Sequence, residues 1–309
     1  MPTPPVARPY AGPADLAAMQ AALSTSWRLA RPFSNTTVGD LEWWQVVLDE
    51  PGADWTDRIR LWELDGEVVA YAWLIPPAEL DWHQRADLSA TVRETIVDEA
   101  LDWATERHAA AKDRYAPEAV RTWAMDDDEE LGALLAARGW APSTELYAIH
   151  WYRRLPDEPP APVVPGGYRL RHVRLPEDLE ARVVVDHAAY PPSRVTIARY
   201  EALAAMPHYD PSRDLVVEAP DGSLAAFAMT WWDPVARMGE FEPVGTHPAH
   251  RGLGLAKALL HAGLRLLRDL GAADAVVFSK GGNEAAEALY ASAGFEAVTR
   301  HRAWTRPLG

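Results

Sequence analysis

The sequence predicts an α/β (α+β) fold in two tandem copies, each with a mixed, mostly antiparallel sheet flanked by helices. Three observations support this prediction. The chain has 309 residues, about twice the length of an ordinary domain; a proline-rich segment lies near its middle; and similar stretches occur in the same order on either side of that segment. Hydrophobic residues at 48% and charged residues at 24% are near the averages for globular proteins, which excludes a disordered or fibrous chain.

The proline-rich segment predicts the domain boundary. Residues 156–167 contain five prolines, which deny the backbone regular hydrogen bonding. We therefore expect a first domain over 1–155, a stiff linker over 156–167 and a second domain over 168–309.

Two pairs of matching segments predict that the halves are one fold duplicated. Asp65–Trp73 corresponds to Asp221–Met229, each a turn between two strand-like runs, and Leu134–Trp140 corresponds to Leu289–Phe295, each a helix end, a glycine and an aromatic residue. The offset is 155 or 156 residues at both places, which is typical of a long internal repeat.

The second half has the clearer succession of elements, as judged from hydrophobic periodicity and from turn residues. We expect strands at 168–173, 214–219, 224–231, 237–246, 275–278 and 295–304, and helices at 176–189, 196–205, 252–270 and 284–293.

Composition excludes several classes of function. The chain has no cysteine, so disulfides, thiolate metal sites and a cysteine nucleophile are excluded, and we expect no metal. The net charge is −15, and residues 1–155, with 14 Lys and Arg against 26 Asp and Glu, account for −12 of it. A negative field disfavours nucleic acid, and the sequence has neither a membrane-length apolar run nor an apolar signal core. We expect a cytoplasmic protein that binds neither nucleic acid nor membrane.

A glycine-rich turn, Arg251–Ala256, is the strongest local signal. It follows a predicted strand and opens a predicted helix, where free backbone amides and close backbone approach suit a pyrophosphate. A dinucleotide fingerprint would need a third glycine where Lys257 stands, and a Walker loop would need Gly-Lys-Ser/Thr. A turn that serves only tight packing remains the alternative.

The turn and a second motif resemble the GNAT superfamily of N-acetyltransferases. Arg251, Gly254 and Ala256 match its Q/R-x-x-G-x-G/A signature, and Asn283 precedes a helix that ends in Leu289-Tyr290 and the Gly294-Phe295 pair, as in the family. The resemblance implies acetyl-coenzyme A as co-substrate. It further implies that Val244 and Thr246, on a strand splayed by a bulge, bind the pantetheine arm and acetyl carbonyl, that Asn283 contacts that arm, and that Tyr290 protonates the departing thiolate. Pyrophosphate would be bound by the amides of Arg251, Gly252, Leu253, Gly254, Leu255, Ala256 and Lys257.

A general base must take a proton from the acceptor amine, because only a neutral amine attacks a thioester. Glu240 and Glu242 are the candidates: strand alternation places both on the face shared with Val244 and Thr246. We favour Glu240, as members of this family often relay through water to a glutamate on this strand. The alternative is that both are solvated strand residues, and His247 is a weaker candidate.

Substrate contacts in the family come from the first helices and the neighbouring strand ends. Here these places hold His187, Tyr190, Trp231 and Trp232. Aromatic and histidine side chains suit a pocket for a cation or a sugar, while aromatic residues in such stretches are more often part of the core.

The first copy is predicted to have lost its cofactor site. An offset of 155 places Tyr290 on Leu135, Asn283 on Asp128 and Arg251 on Ile96, none of the same kind. Some tandem family members combine a degenerate first domain with an active second one, which is the arrangement we expect here. The acidic run at 126–130 would repel pyrophosphate, or else is a solvated helix start.

These observations lead to two functional hypotheses. The first is direct, ternary-complex transfer of an acetyl group from acetyl-coenzyme A to a primary amine of a small molecule. The second is a non-catalytic acyl-coenzyme A sensor whose acidic first half holds a protein partner. The duplicated layout predicts a monomer with two domains in a pseudo-dimeric arrangement.

Overall fold

The structure is a computed structural model that describes residues 4–30, 34, 36–48, 54–110 and 118–307. Its helices are α1 Pro13–Leu29, α2 Val38–Trp43, α3 Ala90–Ala110, α4 Glu129–Ala137, α5 Leu179–Ala189, α6 Ile197–Ala204, α7 Leu255–Asp269 and α8 Glu284–Ser292. Its strands are β1 Val6–Pro9, β2 Ile59–Leu64, β3 Glu67–Ile75, β4 Glu79–Gln84, β5 Ala119–Met125, β6 Ala141–Arg154, β7 Arg169–His172, β8 Asp214–Glu218, β9 Leu224–Asp233, β10 Met238–Thr246, β11 Asp274–Lys280 and β12 Glu296–Pro307. A π-helical turn, Trp44–Leu48, follows α2. No helix in these described ranges is long and apolar enough to cross a membrane.

The chain divides into two compact units. In the first unit, β1, β2, β3 and β4 are antiparallel neighbours in that order, β4 pairs with β5 in parallel, and β5 pairs antiparallel with β12. Helix α3 packs its apolar side, including Ile96, Val97 and Leu101, into the core of this unit.

The second unit repeats the same order. β7, β8, β9 and β10 are antiparallel neighbours, and β10 pairs with β11 in parallel. Since one strand order occurs twice, with the parallel pair at the same place, the prediction of a duplicated α/β fold is confirmed. Every element predicted for the second half is present, with ends displaced by at most a few residues.

The compact units do not follow the chain order strictly. Residues 38–48 belong to the second unit. Residues 299–307 belong to the first, because β12 pairs along β5. The proline-rich segment 156–167 has no regular structure and lies within the second unit, where Arg265 donates to the Pro159 carbonyl at 2.8 Å and Arg268 to that of Asp157 at 2.8 Å. Domains predicted as continuous ranges of the chain cannot describe this exchange of segments.

Candidate functional site

A cavity of about 980 Å³ opens in the second unit where β10 and β11 part. Their parallel pairing covers only Met238–Glu240 against Asp274–Val276, and the register of β10 against β9 shifts between Phe241 and Val244. Beyond this irregularity, residues 244–246 and 278–280 both line the cavity. The splayed strand that the resemblance implies is therefore present.

Most of the residues singled out from the sequence meet at this cavity. Those that line it are Tyr190, Glu242, Val244, Thr246, Arg251, Gly252, Gly254, Leu255, Ala256, Lys257, Asn283 and Tyr290. Those that do not line it are His187, Trp231, Trp232, Glu240 and Leu253, the last of which is exposed.

The glycine turn lines the cavity at the start of α7. Gly252 and Gly254 both have φ of 78°, the left-handed region that a side chain strains, although an added Cβ would meet no atom within 4 Å. The amide of Ala258 bonds to the Gly254 carbonyl at 3.0 Å, so the amides before it in α7 have no partner within the helix. These amides, with Arg251 and Lys257 beside them, suit a pyrophosphate.

Arg251→Glu is expected to raise the Kd for acetyl-coenzyme A about 10- to 100-fold, since it replaces one charge-assisted contact by repulsion. Titration calorimetry with coenzyme A measures this effect. Arg28→Glu makes the same charge change at an exposed site in α1 of the first unit and is the matched control. Equal affinity of the Arg251 variant and the wild type would contradict a pyrophosphate at this turn.

The second motif places Asn283 and Tyr290 on one short helix. Asn283 caps α8, its side-chain oxygen accepting from the Ala286 amide at 3.2 Å, which leaves its amide donors for the cavity. Tyr290 is 6% exposed and packs edge-on against Phe295 at 6.3 Å between ring centroids. Burial and the nearby Glu242 carboxyl hold the pKa of Tyr290 well above its ordinary 10, so its hydroxyl stays protonated at neutral pH.

The two candidate bases occupy different surroundings. Glu242 lines the cavity, and burial, reinforced by the carboxyl groups of Asp40 and Asp186, raises its pKa to about 8. Glu240 is 1% exposed within the sheet, where it stands opposite Trp231 on β9 and Val276 on β11, and it is not at the cavity. The position therefore favours Glu242, against the preference for Glu240 that was taken from the family resemblance.

Two aromatic side chains hold the irregular part of β10. The Trp231 indole donates to the Glu242 carbonyl at 2.8 Å, and the Tyr190 hydroxyl donates to the Val244 carbonyl. Gly245 lets this segment approach closely, because a Cβ there would lie 2.4 Å from the Phe227 ring and 2.9 Å from the Ala189 methyl. Trp231 is thus a core residue that supports the site from behind, in agreement with the alternative that these aromatic residues belong to the core.

If Val244 binds the acyl group, as the resemblance implies, Tyr190→Phe is expected to lower kcat about 3- to 10-fold, because it removes one hydrogen bond that orients the Val244 backbone. The acetyl-coenzyme A Kd and the melting temperature should stay near the wild-type values, which a merely structural role would not predict. Tyr147→Phe, which removes a half-buried hydroxyl in the first unit, is the control. A normal kcat would rule out this positioning role.

The other two predicted substrate residues are not brought to the cavity. The exposed His187 is tied through Nε2 to the Val195 carbonyl at 2.5 Å, and Trp232 is half-buried on β9 opposite Gly239. Neither side chain lines the cavity, although His187 contacts the backbone of Val195, which does.

The cavity also has lining residues that the sequence did not reveal. Trp43 and Val47 come from the first half of the chain, within residues 38–48 of the second unit, and Asp186 and Ser193 come from α5 and the loop after it. The adjacent tryptophans Trp43-Trp44 were the one feature of the sequence that could have drawn attention to this segment. Local periodicity, however, does not show that the segment packs in the second unit.

In the first unit the corresponding place is nearly filled. A cleft of about 60 Å³ lies at the ends of β4 and β5, and Arg93 crosses it to contact Asp128 and Glu130, each at 2.9 Å. Asp128 caps α4 as Asn283 caps α8, which confirms the offset of 155 in this region. The offset fails at α3, where Ile96 lies inside the helix and not at its start, but the residues before α3, 85–89, contain no glycine.

Comparison with known proteins agrees with this geometry. The profile of the Acetyltransferase (GNAT) family matches residues 181–295. Mycothiol acetyltransferase of Kineococcus radiotolerans is 34% identical over 192 residues, which are 60% of this chain and 62% of that protein. The same-named protein of Catenulispora acidiphila is 31% identical over 60% of each chain. The matched region thus spans about three fifths of these relatives.

Solved structures share the fold over nearly the whole chain. A GCN5-related N-acetyltransferase from Sphaerobacter thermophilus has a TM-score of 0.69 at 19% identity, covering 98% of this chain and 96% of its own. A tandem GNAT protein from the clavulanic acid biosynthesis pathway has a TM-score of 0.67 at 18% identity, covering 99% of each. These solved structures share the fold of the whole chain, and the Acetyltransferase (GNAT) profile matches within the second unit, at residues 181–295.

Proposed function

We propose that the second unit is an acetyl-coenzyme A-dependent N-acetyltransferase that acetylates a primary amine of a small molecule. The observation that carries the proposal is that an anion-binding turn, a buried tyrosine and a carboxyl group of raised pKa line one cavity. The near-filled cleft of the first unit supports a single active site per chain.

In the proposed reaction, the amine nitrogen attacks the acetyl carbonyl carbon in a ternary complex. Glu242 accepts the proton that leaves the amine, and the C–S bond breaks as the tetrahedral intermediate collapses. Tyr290 gives its proton to the coenzyme A sulfur, so that amide and thiol are the products.

The carbonyl oxygen would be stabilised by the backbone of β10. The amide and carbonyl of one strand residue point to the same side, and the Val244 carbonyl meets the cavity-lining Tyr190 hydroxyl. The Val244 amide is then directed to the cavity, where it can donate to the developing oxyanion.

A coenzyme A-release screen tests the function. The full-length chain with acetyl-coenzyme A is offered aminoglycosides, polyamines, amino acids, peptide N-termini and simple amines, and thiol release is followed. Amine-dependent release supports the enzyme. Thermal stabilisation by acetyl-coenzyme A with no release on any amine would instead support the sensor, with the acidic first half as its partner-binding surface.

A further inference from the structure

We propose that the acceptor is a primary amine on an apolar body, aromatic or branched alkyl, and that residues 38–48 form the wall that selects it. This inference rests on the proposed function and adds the acceptor class to it. It also gives the first half of the chain a role in the second unit's chemistry.

In the proposed function the glycine turn holds the cofactor, so the acceptor occupies the part of the cavity that Glu242 lines. The backbone carbonyl of Glu242 accepts a hydrogen bond from the Trp231 indole. Trp231 belongs to the same buried cluster as Trp43, Val47 and Val195. Trp43, Val47 and Val195 all line the cavity. The amine that Glu242 deprotonates must therefore carry its substituent against this cluster.

Residues 38–48 are held firmly in place. Gly39 rests on the Trp231 ring so closely that a Cβ would lie 2.2 Å from its Cγ, and Arg199 donates to the Val47 carbonyl at 2.6 Å. The Glu42 carboxylate, fully buried, accepts from the His208 amide at 3.1 Å and meets His208 Nδ1 at 2.7 Å. A wall fixed at three points can discriminate by shape.

The polar groups in this part of the cavity are few and already partly engaged. Asp186 is 2% exposed and accepts from Ser193 at 2.6 Å, and it lies 3.5 Å from Arg182, which also contacts Asp214 at 3.3 Å. Glu242 is the other carboxyl group on the lining, and the exposed Arg194 stands at the rim.

This arrangement favours one class of amine over three others. An apolar body buries against Trp43 and Val47 while the amino group meets Glu242. Sugar hydroxyls would lose water against an apolar wall without partners, and the second ammonium of a diamine would find on the lining only Asp186, which already accepts from Ser193 and contacts Arg182. An amino acid would need Arg194 to reach in from the rim.

The test compares matched acceptors with the full-length chain and acetyl-coenzyme A. We expect kcat/KM for 2-phenylethylamine and isoamylamine to exceed that for glucosamine, putrescine and phenylalanine by about 10-fold or more. Equal or higher kcat/KM for any of these three would overturn the acceptor class but leave the proposed function standing. Turnover on no amine would overturn both.

A variant pair tests the wall itself. Trp43→Leu should raise KM for 2-phenylethylamine about 10-fold with the acetyl-coenzyme A Kd unchanged, and Trp55→Leu in the first unit is the matched control. Because Trp43 is 8% exposed, Trp43→Phe serves as the milder second variant, and the unchanged cofactor Kd reports an intact fold. A wild-type KM in both Trp43 variants would contradict the assigned wall.

Discussion

Tyr290→Phe is expected to lower kcat about 10²- to 10⁴-fold, because it removes the group that donates a proton to the leaving thiolate in the proposed reaction. The affinity for acetyl-coenzyme A should change little, since the ring still packs against Phe295 and the anion site at the glycine turn is untouched. Stopped-flow or steady-state release of coenzyme A gives kcat, and calorimetry gives the cofactor Kd.

The matched control for this loss of a hydroxyl is again Tyr147→Phe in the first unit. An acid role also predicts that the defect shrinks with an acyl donor whose thiol has a low pKa, because such a thiolate leaves without a proton. A variant with near-normal kcat, or one equally slow with every donor, would contradict the acid assignment.

Glu242→Gln is expected to lower kcat/KM about 10²- to 10⁴-fold, because it removes the carboxyl group that receives the amine proton in the proposed reaction. The sign of the pH dependence follows from its pKa, which burial and neighbouring carboxyl groups raise to about 8. Below this pH the carboxyl group is protonated and cannot accept a proton. The wild-type kcat/KM should therefore rise with pH through about 8 and level off above it.

This rise of kcat/KM with pH, the rising limb, can be separated from deprotonation of the substrate by using an acceptor whose amine pKa lies well below 8. The limb should disappear in Glu242→Gln, while Tyr290, with its pKa above 10, adds no falling limb in the same range. Glu240→Gln is the matched control and should keep both the rate and the limb. If Glu240→Gln removes the limb and Glu242→Gln retains it, the base is Glu240.

Local sequence was sufficient for the elements of the second half and for the turn that begins α7. Each depends on neighbours in the chain: the Asp221-Gly222 turn before β9, glycines with positive φ before Leu255, and a capping asparagine before α8. Such features are determined by short-range sterics and backbone hydrogen bonding, which a sequence displays directly.

The sequence did not give the side of the sheet on which each β10 side chain lies, because the rule of alternating sides assumes a strand without a bulge. The register shift after Phe241 ends that assumption, so alternation placed Glu240 and Glu242 together while the fold separates them.

By itself, the sequence determined that this protein is a duplicated α/β fold with one glycine turn fit for pyrophosphate, because periodicity, turn residues and repeat offset are local properties. Only the tertiary structure decided that Glu242 reaches the cavity, that residues 38–48 join the second unit, and that the closing strand β12 completes the first. These outcomes depend on contacts between residues far apart in the chain, whose energies come from burial and strand pairing that no local pattern encodes.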